Sequence, residues 1–199
     1  MTKAPDLDTR LPTAGDSLFI AKDWAFDAHV VGDRNERFYR LPQGYKQAGD
    51  VIVLQAAGEP RQRANLIYPA LYCYRQTIEL WLKKLTKDYG HSVAFPPPPK
   101  GKRNASHDLA ALWSRFEVVA ASRNATSGPE FNAARELVLE MHKADEANDC
   151  FRYAADPKDN PFAFGDRNID LENLFTCMAG LANFFESAEM MFEAQDDRP

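Results

Sequence analysis

A run of apolar residues at helical spacing constrains this chain more than any other feature of its sequence. Between residues 65 and 90, six of them follow one another at steps of three or four: Ile67, Leu71, Tyr74, Ile78, Leu82 and Leu85. Such steps place the side chains on one face of an α-helix. Pro69 falls in the first turns, where a missing N–H costs little, and Gly90 provides a suitable end. The pattern predicts a core helix of about seven turns.

A second apolar series predicts another long helix over residues 170–195. Its members recur at alternating steps of three and four: Leu171, Leu174, Met178, Leu181, Phe185, Ala188 and Phe192. Three heptads of this kind form a seam that matches a long partner helix. The sequence therefore predicts a bundle with long antiparallel core helices, and the seam also favours a homodimer.

Shorter apolar stretches predict four further helices. Their expected bounds are residues 16–29, residues 44–58, a segment that starts at Ser106 and residues 130–148. Asp16 or Ser17 would cap the first of these helices, and Pro42 would precede the second. Residues 51–54 could instead be a buried strand, but helix is favoured because the residues around them do not alternate. About six helices without a convincing strand predict an all-α helical bundle.

Proline and glycine positions indicate how the chain is organised. Residues 1–15 lack periodicity and are predicted to be a loose N-terminal arm, whereas residues 16–195 are predicted to form a single helical domain. Residues 91–106 contain four consecutive prolines followed by basic residues, so they are expected to form an extended, exposed loop. Residues 150–168 are rich in Asp, Asn and Pro and are expected to be irregular.

Composition bounds the class of protein. The chain has 199 residues, of which 45% are hydrophobic, and a formal net charge of −5. A chain of this length folds without a disulfide or a metal, and its three cysteines contain no Cys-x-x-Cys pair. No metal or cofactor motif is present, so neither is expected. A polar N-terminus and the lack of a long apolar run predict a cytoplasmic protein without membrane contact.

Charge is distributed unevenly along the chain. Residues 83–123 carry eight basic and three acidic side chains within a protein that is acidic overall. Such a segment could attract phosphate, or it could dock on the acidic C-terminal helix of the same chain.

Charged residues along the first long helix form the main candidate site. Arg75, Glu79 and Lys83 are four residues apart, which places them in one stripe beside the apolar face. The stripe could orient a polar ligand, or it could be an ordinary ladder of salt bridges. His107 and Asp108 open the next helix and could face this stripe, or they could serve only the N-terminus of that helix.

An arginine between two aromatic residues, in Phe151-Arg152-Tyr153, adds to this candidate site. It could stack on a nucleic-acid base, or it could pin the irregular segment to the core by a cation-π contact.

The order of these motifs resembles that of the HEPN helical domains. In the long helix Glu79 is followed four residues later by Lys83, and the next helix opens with His107-Asp108-Leu109 after a variable loop, as in those domains. The chain resembles more closely still a group of uncharacterised bacterial proteins that share this His-Asp-Leu and four further motifs: Gly-Tyr-Lys with Ala-Gly-Asp at residues 44–50, Tyr-Pro at residues 68–69, Tyr-Arg-x-x-x-Glu-Leu at residues 74–80 and Phe-Arg-Tyr at residues 151–153. The resemblance implies a HEPN-like fold, a homodimer, binding of a nucleotide or RNA, and a possible role in bacterial defence or stress response.

Ribonuclease activity is an alternative that the resemblance also implies. Active HEPN nucleases carry Arg, four to six residues and then His, and only Arg135 and His142 satisfy that spacing here. The pair lies in an acidic helix, which is a poor place for RNA phosphate, and such a spacing arises readily by chance.

These observations favour a protein that binds a nucleotide or RNA through a polar cleft between the long helix and the His107 helix. The residues expected there are Arg75, Glu79, Lys83, His107, Asp108, Arg152 and Tyr153. The alternatives are a non-catalytic module for dimerisation or contact with another protein, and a ribonuclease.

Overall fold

The computed structural model describes residues 10–21, 27–95, 105–162, 164–165 and 167–197. Within them the chain forms five α-helices and no strand: α1 (Arg34–Gly58), α2 (Arg63–Tyr89), α3 (Leu109–Ser122), α4 (Pro129–Ala144) and α5 (Leu171–Asp196). The prediction of an all-α protein is confirmed. None of the helices so described is long and apolar enough to cross a membrane.

The chain divides into two compact units, residues 1–32 and residues 33–199. A helix over residues 16–29 is wrong for the described part of the first unit, which is not helical. The Asp16 carboxylate closes a turn instead, because it accepts from the Thr13 amide at 2.7 Å and pairs with Arg10. Residues 22–26 and most of the predicted N-terminal arm lie outside the described residues.

Helix α1 begins ten residues before the predicted start at residue 44. The Asp33 carboxylate caps it by accepting from the Glu36 amide at 2.9 Å, so an unrecognised cap decides the start. Pro42, which was expected to precede the helix, lies buried inside it. A proline there removes one backbone hydrogen bond, and tertiary packing overrides that local cost. Residues 51–54 lie within α1, and the alternative of a strand is therefore wrong.

Helices α1 and α2 form an antiparallel hairpin, and the two helices approach each other closely at one glycine of α1. Asn35 meets Lys87 near one end, and Asp50 accepts a 2.9 Å hydrogen bond from the Tyr74 hydroxyl further along. A Cβ atom on Gly49 would lie 2.5 Å from the Tyr74 ring. The absence of a side chain at Gly49 therefore lets the buried ring pack directly on the α1 backbone.

The two longest core helices, α2 and α5, run parallel to each other. Trp81 stacks on Phe185 with ring centroids 6.1 Å apart, and further along both helices Lys84 pairs with Glu189. The expectation of antiparallel core helices therefore holds for α1 and α2 but is wrong for the pair α2 and α5. The reason is that α3 starts beside the middle of α2, where the carbonyl of His107 meets Arg75, and not at the end of α2.

The predicted basic loop falls mostly outside the described residues, which omit 96–104. Residues 91–95, which precede them, form a turn after α2. The expected N-cap of the following helix was Ser106, but the cap is Asp108, whose carboxylate accepts from the Ala111 amide at 3.0 Å.

The apolar series of α5 packs inside the same chain. Its central residues are buried against a cluster of aromatic rings from α3, α4 and α5: Trp113, Phe116, Phe131, Phe184, Phe185 and Phe192. The seam on which the homodimer prediction rested is therefore occupied by internal packing. Any contact between two copies must use another face.

Candidate functional site

A buried arginine ties three parts of the bundle together. Arg75 in α2 is fully buried, and its Nη1 donates to the Glu79 carboxylate at 2.8 Å. Its Nη2 donates to the backbone carbonyl of His107, before α3, at 2.8 Å. Its Nε lies 3.1 Å from the Asp145 carboxylate, after α4, in an ion pair without hydrogen-bond alignment. Because every side of the guanidinium meets protein, no ligand can reach it.

The carboxylate of Glu79 is the centre of this network. It is 3% exposed and also accepts from Lys83 Nζ at 2.6 Å, while His107 Nδ1 lies 2.7 Å from the same oxygen. Burial raises the pKa of Glu79, but the charge and hydrogen bond of Lys83, the hydrogen bond from Arg75 and an electrostatic contribution from His107 outweigh burial and lower that pKa below its usual value. An ionised carboxylate can only accept, so Nδ1 of His107 carries the proton in this hydrogen bond.

This lowered pKa predicts a pH-dependent stability. The unfolded chain binds the proton more readily than the folded one, so the contribution of Glu79 is present above its unfolded pKa and is lost as the pH falls through its folded pKa. We expect Glu79→Gln to be less stable than wild type near pH 6, with a difference that shrinks by about pH 3. Urea denaturation across that range measures it. A difference that does not change with pH would contradict an ionised, paired Glu79.

Asp145 is a member of the network that sequence reasoning missed. Its Oδ1 accepts from the amides of Asp149 and Cys150 at 2.8 and 3.0 Å. These bonds fold the chain into a turn, so α4 ends at Ala144 rather than at the predicted residue 148. The polar run that follows the last apolar residue of α4 could have indicated where the helix ends. Nothing in the local sequence indicated that Asp145 pairs with Arg75.

Only one edge of the predicted cleft reaches solvent. The His107 side chain is 42% exposed and that of Lys83 is 29% exposed, whereas Arg75 lies behind them. Asp108 is buried and caps α3. The structure thus brings Arg75, Glu79, Lys83 and His107 together, in an arrangement that the protein itself fills.

Arg152 and Tyr153 lie apart from this network. Arg152 donates from Nε to the carbonyl of Asn148 and from Nη2 to the carboxylate of Asp149, both at 2.7 Å. Its guanidinium lies 5.0 Å from the centre of the exposed Tyr153 ring. The neighbouring Phe151 is the residue that anchors this segment in the core.

The pair considered for ribonuclease activity is not assembled into a site. Arg135 is exposed on α4, and His142 follows two turns later, about 10 Å along the axis. The His142 ring is mostly buried, with Nδ1 3.7 Å from the Asp108 carboxylate. The two side chains share no contact in the described part of the chain.

Arg152 and Tyr153 instead line a cavity of about 900 Å³, here called the arginine cavity after Arg63, Arg152 and Arg167. It lies between the start of α2 and the irregular segment before α5. Tyr68, half exposed, also faces it. Sequence reasoning missed Arg63 and Arg167, because neither stands in a motif.

Hydrogen bonds hold two of the three arginines in place. Arg63 donates from Nε and Nη2 to the carbonyls of Ala56 and Ala57, at the end of α1. Arg167 lies 4.1 Å from the centre of the Phe164 ring and has no hydrogen-bond or ion-pair partner among the described residues. The cavity thus contains two arginines whose guanidinium groups are held by the protein and a third, Arg167, that is available to a ligand.

No group of three His, Cys, Asp or Glu side chains in the described ranges is arranged to hold a metal. Comparisons with protein-family models, with curated proteins and with solved structures found no match to this chain.

Proposed function

We propose that this HEPN-like protein binds a nucleotide or a short single-stranded RNA in the arginine cavity. The observation that carries the proposal is the convergence of three arginines and two exposed tyrosines on one cavity. Arginine forks bind phosphate oxygens, and tyrosine faces stack on bases. A volume of about 900 Å³ lies within the range of small-ligand sites.

The hydrogen bonds within the cavity support recognition of phosphate. Arg63 and Arg152 each use Nε and Nη2 on the protein, and each keeps an Nη1 group without a partner in the described part of the chain. A guanidinium that is already oriented loses little freedom when it binds. Arg167 can then contribute a further pair of donors.

The overall charge favours a short ligand. A net charge of −5 opposes extended contact with a nucleic-acid duplex, in which many phosphates must be neutralised. A nucleotide or a few unpaired bases need only the local cluster of arginines.

Titration of ATP, GTP and a short RNA by calorimetry tests this proposal. We expect Arg167→Gln to weaken binding by about tenfold or more, because it removes a charge-assisted hydrogen bond, and Tyr153→Ala to weaken it through lost stacking. The matched control is Arg40→Gln, in which the lost arginine pairs with Glu36 on the surface of α1. The site would be refuted if wild type showed no saturable binding, or if Arg167→Gln and Arg40→Gln bound the ligand equally well. Shortening of the RNA would reveal ribonuclease activity.

A contact with another protein, or between two copies, is the second candidate function. Its support is the outer side of α1, where Tyr39, Val51 and Leu54 are exposed. A homodimer at micromolar concentration would have twice the monomer mass of 22.5 kDa in light scattering. The monomer mass would argue against self-association.

A further inference from the structure

We propose that a second cavity, which shares part of its lining with the arginine cavity, binds an aliphatic carboxylate of medium chain length. This apolar cavity has a volume of about 560 Å³ and lies between α2, α4 and α5. Its interior is formed by aliphatic and thioether side chains, among them Ile78, Leu137, Met141, Leu174, Met178 and Leu181.

The interior of the apolar cavity selects a hydrocarbon. Its inner side chains offer no hydrogen bonds, so a polar ligand would lose its hydration without compensation. Met141 and Met178 are flexible and polarizable, so they can adapt to a chain. An aliphatic ligand would make dispersion contacts with these side chains.

The rim of the cavity selects the head group. Lys143, Arg167 and Glu140 are exposed there, and none of them has an ion-pair partner among the described residues. The fourth charged residue, Asp170, is already engaged, because its carboxylate accepts from the Asn173 amide at 2.8 Å to cap α5. Because the Asp170 carboxylate and the positive end of α5 offset each other, two available cations remain against one available anion, and this balance favours a carboxylate over an amine.

The test uses residues that line the apolar cavity alone, since Arg167 also faces the arginine cavity. Ala144→Leu and Cys177→Leu each place extra volume in the apolar cavity. Ala57→Leu is the matched control, because Ala57 is exposed on α1. Lys143→Gln removes a rim cation and keeps the cavity open.

Calorimetric titration with decanoate, decanol and decylammonium measures the outcome, at concentrations below those at which these compounds aggregate. We expect wild type to prefer decanoate, both cavity-filling variants to bind it about tenfold more weakly, and Ala57→Leu to match wild type. Lys143→Gln is expected to weaken decanoate about fivefold and leave decanol unchanged. Thermal melts identify the variants that remain folded. The test needs only one of the two cavity-filling variants to be folded.

Three results would overturn the inference. The first is that wild type shows no saturable binding of decanoate. The second is that a folded cavity-filling variant binds decanoate as tightly as wild type does. The third is that wild type binds decylammonium more tightly than decanoate. Nucleotide titrations of Lys143→Gln keep the two proposals separate, because that variant is expected to retain any nucleotide binding.

Discussion

Replacing Arg75 with Met is expected to lower the free energy of unfolding by about 3 to 5 kcal/mol, because removing one partner of a buried ion pair leaves a charge without compensation. Arg75 is fully buried, and both Glu79 and Asp145 depend on it. The hydrogen bonds from Arg75 to the backbone carbonyls of His107 and Asp145 would also be lost. Urea denaturation followed by circular dichroism measures the change.

Arg40 provides the control for this prediction. It also pairs with a glutamate four residues away on the same helix, Glu36, at 2.6 Å, but its side chain is 64% exposed. Arg40→Met is expected to cost less than about 1 kcal/mol, because solvent screens a surface pair. Equal small losses in both variants would show that the Arg75 network contributes no more than a surface ladder.

Replacing Gly49 with Ala is expected to lower the free energy of unfolding by about 1 to 3 kcal/mol, although alanine favours helix more than glycine does. The new methyl group would lie 2.5 Å from the Tyr74 ring. That ring cannot move aside easily, because it is fully buried and its hydroxyl donates to Asp50. The overlap must therefore separate α1 from α2.

Gly44, on the same helix, allows the opposite expectation. A Cβ atom there would meet nothing within 4 Å, so only backbone freedom changes. Gly44→Ala is expected to raise the free energy of unfolding by about 0.5 to 1 kcal/mol. Thermal melts of both variants would show shifts of opposite sign, and a stabilised Gly49→Ala would mean that the two helices are not in close contact at this point.

The sequence predicted the long helices well, because their apolar periodicity is a local property that extends over many turns. The predicted end of α1 at Gly58 is confirmed, and α2 and α5 begin and end within two residues of their predicted limits. The start of α1 was wrong, since a buried Pro42 stabilised by tertiary contacts looks in sequence like a boundary. The predicted direction of α5 relative to α2 was also wrong. An apolar seam shows that one face of a helix is buried, but it does not show in which direction the neighbouring helix runs.

Part of the candidate site was predictable for a similar reason. Arg75, Glu79 and Lys83 share a stripe by spacing alone, and the structure confirms that His107 meets them. The depth of Arg75 was not predictable, because a stripe beside an apolar face can point into the core or into solvent. Asp145, seventy residues further on, contributes through a tertiary contact that leaves no trace in the local pattern.

Asp145 makes the irregular segment before α5 part of the same cooperative unit as the helices. One of its carboxylate oxygens holds the amides of Asp149 and Cys150, and the other faces Arg75. Opening this segment would therefore expose a charged pair from the core as well as a loop. In hydrogen exchange we therefore expect the amides of Asp149 and Cys150 to open with a free energy near that of global unfolding, and not with the small cost usual for a connection without secondary structure. Cys150, which lines the arginine cavity, is thereby tied to the bundle without being part of a helix.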